Sequence, residues 1–159
     1  MPTSIPLVNR NPHLIVTRTM SKAFSCAGLR LGYAIANKEV IDALQIVRLP
    51  YHLSAVTQAV AIAALSHSAQ LLGQVELLRQ ERNHLANWLA DQGFVVAPSG
   101  ANFLLFGIFT DRDQVFNGLL KQGVLIRQTG PAGWLRVSIG TPQENELFRT
   151  ALSSLELTN

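Results

Sequence analysis

A chain of 159 residues can form one large domain or two small ones. Only 14% of the residues are charged, against roughly 25% in an ordinary globular protein, so we expect another domain or subunit to cover part of the surface. The longest apolar runs contain seven residues, far fewer than the ~20 that a membrane-spanning helix needs. The net charge of +3 comes from scattered basic residues, which argues against nucleic-acid binding.

Cysteine and histidine usage narrows the possibilities further. The single cysteine, Cys26, cannot form an internal disulfide, and no secretory signal follows Met1, so a reducing, cytoplasmic setting is predicted. We expect Cys26 to be a small packing residue. The four histidines lack the spacing of metal ligands, so no metal site is predicted.

The first third of the chain indicates the end of an α/β layer. Short apolar strands are predicted at residues 13–17 and 31–36, with a polar, glycine-containing loop at residues 18–30 between them. Asn37 is a candidate N-cap for a helix that Pro50 ends.

Two further helices follow. Ser54 is predicted to cap an alanine-rich helix that runs to about Ser66, and a longer helix then ends at Gly93. The longer helix repeats its apolar residues on one face, at Leu71, Val75, Leu78, Leu85 and Leu89.

The second half of the chain has the pattern of a compact α+β unit. Strands are predicted at residues 94–96 and 101–106, followed by a helix that Asp111 caps and Gly123 ends. Two more strands are predicted at residues 124–127 and 134–139.

The last helix has the clearest start signal. Thr141 is its predicted N-cap, Pro142 occupies the first helical position, and Glu144 completes a capping box. Its predicted buried face comprises Leu147, Phe148, Ala151, Leu152 and Leu155. The change of pattern along the long helix predicts two domains, residues 1–74 and 75–159.

One of the three lysines stands apart from the others. Lys38 and Lys121 lie in predicted helices, where a solvated side chain is expected, whereas Lys22 lies in the loop between the first two strands. A lysine that forms a Schiff base must be partly desolvated so that it is nucleophilic near neutrality. Groups that could hold a phosphate flank it, namely Thr19, Ser21 and Arg30. Spacing alone leaves an ordinary polar loop as the alternative.

The whole string is more specific than the spacing. Residues 19–24, Thr-Met-Ser-Lys-Ala-Phe, and residues 27–33, Ala-Gly-Leu-Arg-Leu-Gly-Tyr, resemble the cofactor-lysine segment of fold-type I aminotransferases. The resemblance implies the cofactor pyridoxal 5'-phosphate and makes Lys22 the catalytic lysine that holds it. The implied ligands of the cofactor phosphate are Thr19, Ser21 and Arg30. Gly28 and Gly32 are expected to serve backbone geometry.

Three more strings narrow the resemblance to histidinol-phosphate aminotransferases. Residues 48–54, 98–103 and 136–141 fall in the order of that family, and the similarity extends over nearly the whole chain. The implied fold class is α/β, as the C-terminal part of a fold-type I enzyme. Residues 1–74 would be the end of its large cofactor-binding domain, and residues 75–159 its small α+β domain.

Two arginines form a candidate anion site. Arg127 and Arg136 lie on consecutive predicted strands, so a hairpin could bring their guanidiniums together. Like charges that face each other across strands are destabilising, and a bound anion would compensate. On pattern alone, two solvated arginines that never meet are the alternative. By the resemblance, this pair binds the acidic end of the substrate: the phosphate of histidinol phosphate or a carboxylate of glutamate.

The resemblance implies a transaminase of histidine biosynthesis that uses histidinol phosphate and 2-oxoglutarate. It also implies a cytoplasmic homodimer. The chemistry needs a carboxylate beside the pyridine nitrogen of the cofactor, and the chain has no Asp or Glu before Glu39. We therefore expect an incomplete enzyme that is at best feebly active by itself.

Other readings stay open on the sequence alone. One is another fold-type I aminotransferase, acting on aromatic amino acids. A second is a threonine-phosphate decarboxylase, which tends to have proline where this chain has Ala27. A third is a non-catalytic fragment or interaction domain.

Overall fold

The computed structural model describes residues 3–156. These residues form two compact units, which divide between Gln74 and Val75. The elements of the first unit are a 3-10 helix at Ile5–Arg10, strand β1 at Val16–Thr19, a 3-10 turn at Ala27–Leu29, strand β2 at Gly32–Ile35, helix α1 at Lys38–Val47 and helix α2 at Ala55–Ser66. Helix α3, Ser68–Asp91, begins in the first unit and ends in the second.

Strands β1 and β2 form an antiparallel pair in which Val16 lies opposite Ile35 and Thr19 opposite Gly32. The first predicted strand is therefore displaced: it begins at Val16 instead of His13 and extends to Thr19. The physical reason is a turn before it, in which the Leu14 N–H donates to the Asn11 carbonyl at 2.9 Å.

The predicted helix starts in the first unit are confirmed. Asn37 precedes α1 in extended backbone without a side-chain cap hydrogen bond, and the Ser54 hydroxyl accepts the Thr57 N–H at 3.0 Å. None of the ten residues of α1 is buried, and in α2 only Ala61 is buried. This unit therefore leaves much apolar surface exposed, as the low charge content predicts.

Among the helices of residues 3–156, no single one is both long and apolar enough to cross a bilayer. Only α2 and α3 taken together reach that length and composition, and they meet at a sharp bend.

The second unit is built on a three-stranded antiparallel sheet. Its elements after α3 are β3 at Val95–Val96, β4 at Phe103–Gly107, helix α4 at Arg112–Lys121, β5 at Leu135–Ser138 and helix α5 at Pro142–Ser153. The strand order is β3-β4-β5. The fully buried side chains of its core are Leu85, Leu89, Leu104, Phe106, Leu119, Leu135 and Leu152.

The two longer strands have one core face and one outer face. Leu104 and Phe106 of β4 and their neighbours on β5 are buried, whereas Phe103, Leu105 and Arg136 are only half-buried. Successive side chains of a strand point to opposite faces. We call the face that carries Phe103, Leu105 and Arg136 the outer sheet face.

The predicted strand at residues 124–127 is wrong for most of its length. Only Arg127 pairs with the sheet, as an isolated bridge to Arg136. After Gly123, which has φ +79°, the Val124 N–H donates to the Leu119 carbonyl and closes the end of α4. Residues 124–126 therefore leave the helix in a turn and do not enter the ladder.

The predicted start of helix α5 is confirmed, but its predicted buried face is wrong at Leu147. Thr141 and Glu144 form both hydrogen bonds of the capping box. Leu147, however, is 65% exposed, and Asn145 is buried in its place. Leu147 precedes Phe148 by one residue, which is about 100° around the helix, and this turns it off the buried stripe.

Asn145 is satisfied in the core by three hydrogen bonds. Its side-chain nitrogen donates to Glu81 at 2.8 Å and to the Gly140 carbonyl at 3.2 Å, and its oxygen accepts the Gly140 N–H at 3.1 Å. This cluster joins α3, the end of β5 and α5, and so fixes the turn that follows Arg136 on its strand.

The capping box predicts that part of the stability of helix α5 depends on pH. The Thr141 backbone N–H, which lies 2.7 Å from the Glu144 carboxylate, lowers the pKa of Glu144 from its ordinary value, and the Thr141 hydroxyl lowers it further. A carboxyl whose pKa is lowered by folding stabilises the fold above its unfolded pKa, and this contribution is lost as the pH falls through the folded value. We expect Glu144→Gln to reduce the loss of stability on going from about pH 6 to about pH 3.

Urea unfolding followed by tryptophan fluorescence measures this effect in the right unit, because both tryptophans, Trp88 and Trp134, belong to it. Glu156→Gln is the control, since it changes the net charge equally outside the box. Equal acid dependence in Glu144→Gln and the unsubstituted chain would contradict the prediction.

Candidate active site

The lysine loop is closed at its base by the β1–β2 ladder. The Met20 N–H donates to the Leu31 carbonyl at 3.2 Å, which extends the pairing by one step beyond Thr19 and Gly32. Ser21 and Arg30 are the next residues of the two segments beyond this bond. A β-carbon at Gly32 would lie 2.7 Å from the Arg18 carbonyl oxygen, so only glycine allows this close approach.

Thr19 and Ser21 converge. The Thr19 hydroxyl lies 2.9 Å from the Ser21 hydroxyl, and it also accepts the Ser21 N–H at 3.1 Å. Two hydroxyls and a backbone N–H thus meet at the point where β1 ends. Hydroxyls and N–H groups are suitable donors to phosphate oxygens.

Arg30 lies at the end of the 3-10 turn with a left-handed backbone, φ 52°. Its guanidinium donates to the Ala27 carbonyl at 3.3 Å and is otherwise exposed. Ser25 in the same loop also has a positive φ, 53°. The backbone shape of the loop is therefore unusual at two non-glycine positions. Nothing lies within 4 Å of a β-carbon placed at Gly28, so this structure gives no geometric need for glycine there.

Lys22 follows Ser21 in the chain and begins a turn that the Ser25 N–H closes on the Lys22 carbonyl at 3.1 Å. Its side chain is exposed. A lysine that forms a Schiff base is expected to have a partly desolvated amine, and residues 3–156 do not desolvate Lys22. Nearby Cys26 donates its thiol to the Phe24 carbonyl and is half-buried, in line with a packing residue.

Arg127 and Arg136 lie directly opposite each other. The Arg127 N–H donates to the Arg136 carbonyl at 3.0 Å, and the Arg136 N–H donates back at 2.8 Å. Residues paired in this way point their side chains to the same face. Within residues 3–156 neither guanidinium forms a salt bridge.

The two arginines line an open pocket of about 450 Å³. Its other polar lining residues include Gln128, Thr129 and Ser138. Two unneutralised guanidiniums and several hydrogen-bonding groups in one pocket fit an anionic ligand.

The connection between the two arginines is tied to α4. Gln128 donates to Asp113 at 2.7 Å, and Gly133, with φ +78°, lies against Ile108 and Phe109 so closely that a β-carbon would clash. This anchoring fixes the segment that presents Arg127.

Sequence reasoning does not identify Phe103 as a site residue, although its ring lies under the Arg136 guanidinium, with 4.8 Å between the ring centroid and Cζ. The sequence signal that could identify Phe103 is the alternation of core-facing and outer side chains along β4. Phe103 and Leu105 share the outer sheet face, and Leu105 pairs with Arg136.

Comparison with known families identifies the family of the chain. The family model described as aminotransferase class I and II matches residues 1–152. The chain belongs to this aminotransferase family. The resemblance predicted from the lysine loop is thereby confirmed.

Curated relatives of this aminotransferase chain include histidinol-phosphate aminotransferases. That of Thermobifida fusca is 58% identical over 151 residues, which are 95% of this chain and 41% of the relative. That of Streptomyces avermitilis is 55% identical over 152 residues, 96% of this chain and 41% of the relative. The chain thus spans about two fifths of the length of these relatives.

Solved structures confirm the fold class. The histidinol-phosphate aminotransferase of Sinorhizobium meliloti, in complex with pyridoxal-5'-phosphate, matches with a TM-score of 0.78 and 28% identity, over 93% of this chain and 42% of that one. The enzyme of Clostridium acetobutylicum matches with a TM-score of 0.82 and 25% identity, over 94% and 48%. The chain therefore has the mixed α/β fold of part of a fold-type I aminotransferase.

Proposed function

We propose that this chain is part of a pyridoxal-phosphate-dependent histidinol-phosphate:2-oxoglutarate aminotransferase, in which it supplies the cofactor lysine and the substrate's anion site. The observation that carries the proposal is the pair Arg127 and Arg136, directly opposite each other without an acidic partner among residues 3–156. Relatives more than half identical to the chain are named for a phosphorylated substrate, and this pair fits a phosphate.

The donor set of the lysine loop fits the cofactor. We assign Thr19, Ser21 and Arg30 to its phosphate, because the Thr19 and Ser21 hydroxyls converge within 2.9 Å and the guanidinium of Arg30, in the same loop, is exposed beyond its bond to the Ala27 carbonyl. Lys22 would hold the cofactor covalently. When bound, pyridoxal 5'-phosphate supplies an electron sink for the bonds at the substrate's amino-bearing carbon.

The catalytic lysine and the two arginines would have different roles in the reaction. The Lys22 Nζ would take the proton from the amino-bearing carbon of the substrate as general base and later return a proton as general acid. Arg136 and Arg127 would hold the anionic end of the substrate and so restrict its movement before the reaction.

We also propose the domain assignment and setting that the family implies. Residues 1–74 would be the end of the large cofactor-binding domain, and residues 75–159 the small domain. We propose a cytoplasmic homodimer by analogy with the family. The exposed apolar side chains of α1 and α2 fit cover by a partner subunit or by the rest of the enzyme. In the assembled enzyme, the rest of the protein would also desolvate Lys22.

The test uses a completed enzyme, in which this chain replaces the matched segment of the Thermobifida fusca relative. We expect glutamate to be formed from 2-oxoglutarate only when histidinol phosphate is supplied, and the chain by itself to be at best weakly active. Preference for an aromatic amino acid, or carbon dioxide release from phosphothreonine, would replace the proposal with the corresponding alternative. A completed enzyme that folds but binds no cofactor would favour a non-catalytic fragment.

A further inference from the structure

The Arg136 side chain lies against an aromatic ring on the outer sheet face. In the β4–β5 register, Phe103 pairs with Ser138 and Leu105 pairs with Arg136. Phe103 and Arg136 are therefore diagonal neighbours, a separation that long and aromatic side chains can bridge. The guanidinium carbon lies 4.8 Å from the centroid of the Phe103 ring, within the range of a cation–π contact.

The Nε atom of Arg136 makes this contact unusual. It is buried and has no hydrogen-bond partner among residues 3–156. A buried N–H group normally has a partner, because removal from water without one is unfavourable. The π face of a ring is a weak acceptor for N–H groups and attracts the cation as a whole.

We propose that Phe103 is a positioning residue for the substrate's anion site, which holds the Arg136 guanidinium in place through its ring. This inference rests on the proposed function. The contact uses none of the hydrogen-bond donors of the two terminal nitrogens, so both stay available for bidentate binding of a phosphate. It also removes rotational freedom from a long side chain before the ligand arrives, which favours binding.

Leucine at position 103 separates packing from the ring contact, because it fills part of the same space without a π face. Phe103→Tyr restores the ring and serves as the conservative rescue. Phe94→Leu is the matched control: Phe94 is also half-buried, and it packs against Phe106 and Phe109 instead of an arginine.

The first measurement uses the full 159-residue chain and does not depend on catalysis. Arg136→Lys identifies the Arg136 Nε–Hε signal in the nitrogen–proton NMR spectrum. We expect the ring to displace this signal, Phe103→Leu to abolish the displacement, and Phe103→Tyr and Phe94→Leu to retain it. A signal that is the same in Phe103→Leu and the unsubstituted chain would overturn the contact itself.

The second measurement is steady-state kinetics in the completed enzyme. We expect Phe103→Leu to raise the KM for histidinol phosphate about two- to thirtyfold, the range that a cation–π contact supports, while kcat stays nearly unchanged. Phe103→Tyr should recover the original KM, and Phe94→Leu should leave it unchanged. An equal rise of KM in Phe103→Leu and Phe94→Leu would overturn the positioning role, since loss of packing alone would explain it.

Arg136→Lys tests the assignment of the anion site separately from the positioning role of Phe103. If this variant leaves the KM for histidinol phosphate unchanged, the anion site itself is misassigned and the proposed function fails at that point. If it raises the KM while Phe103→Leu does not, the anion site stands and only the positioning role of Phe103 is refuted.

Discussion

Replacing Lys22 with alanine in the completed enzyme is expected to remove the cofactor adduct that borohydride traps and to lower transamination by at least about a hundredfold. Borohydride reduces a Schiff base to a stable amine, and alanine has no nitrogen to form one. The rate falls because the same amine transfers the proton, and a positioned acid–base group contributes roughly 10²–10⁴-fold. Mass spectrometry of the reduced, digested protein locates the adduct, and the glutamate assay gives the rate.

Lys38→Ala is the matched control for this prediction. Lys38 is an exposed lysine of α1 whose amine is ion-paired with Asp42, so its removal should leave both readouts intact. An adduct that persists in Lys22→Ala would exclude Lys22 as the cofactor lysine, whatever the remaining activity.

Replacing Arg136 with lysine should lower kcat/KM for histidinol phosphate by about ten- to a hundredfold. Lysine keeps the positive charge but loses the planar fork that grips a phosphate with two parallel hydrogen bonds. One hydrogen bond to a charged group contributes about 1.5–3 kcal/mol, and every 1.36 kcal/mol is tenfold. We expect a smaller effect from Arg127→Lys, because Arg127 is exposed where Arg136 is half-buried.

The control for the arginine prediction is Arg149→Lys. Arg149 lies on α5 and is ion-paired with Glu146, outside the pocket that Arg127 and Arg136 line. Kinetics with histidinol phosphate should not distinguish Arg149→Lys from the unsubstituted enzyme. If Arg136→Lys behaves in the same way, the arginine pair does not bind the substrate.

The parts of the fold that sequence predicts well are those that depend on near neighbours in the chain. Ser54, Asp111 and Thr141 each cap a helix by accepting an N–H three residues ahead, so a short string contains both partners. The ends of α3 and α4 follow from Gly93 and Gly123, both of which adopt positive φ.

The errors lie where distant residues decide the outcome. The start of β1 is set by a preceding turn. Residues 124–126 stay outside the sheet, because the Val124 N–H is bonded to the Leu119 carbonyl at the end of α4. Asn145 is buried because Glu81, 64 positions away, and Gly140 satisfy its amide. Periodicity alone assigns a buried position to an apolar residue, and therefore selects Leu147 instead.

In the candidate site, too, local features follow from the sequence and long-range contacts do not. Thr19 and Ser21 are two residues apart, so their convergence is a local property. The pairing of Arg127 with Arg136 depends on register, which the sequence suggests but does not fix. The contact of Arg136 with Phe103 joins positions 33 residues apart and needs the structure. The desolvation expected of Lys22 requires groups beyond residues 3–156.

The left-handed backbone of Arg30 lowers the stability of the lysine loop, although the Arg30 side chain is the cation that we assign to the cofactor phosphate. This conformation costs an L-residue about 1–2 kcal/mol relative to its ordinary regions, a penalty that glycine avoids. Arginine is nevertheless found there, at φ 52°. Selection for a more stable chain would therefore favour glycine at this position and would remove the cation that we assign to the cofactor phosphate. Redesign of this loop for stability should for that reason leave position 30 unchanged.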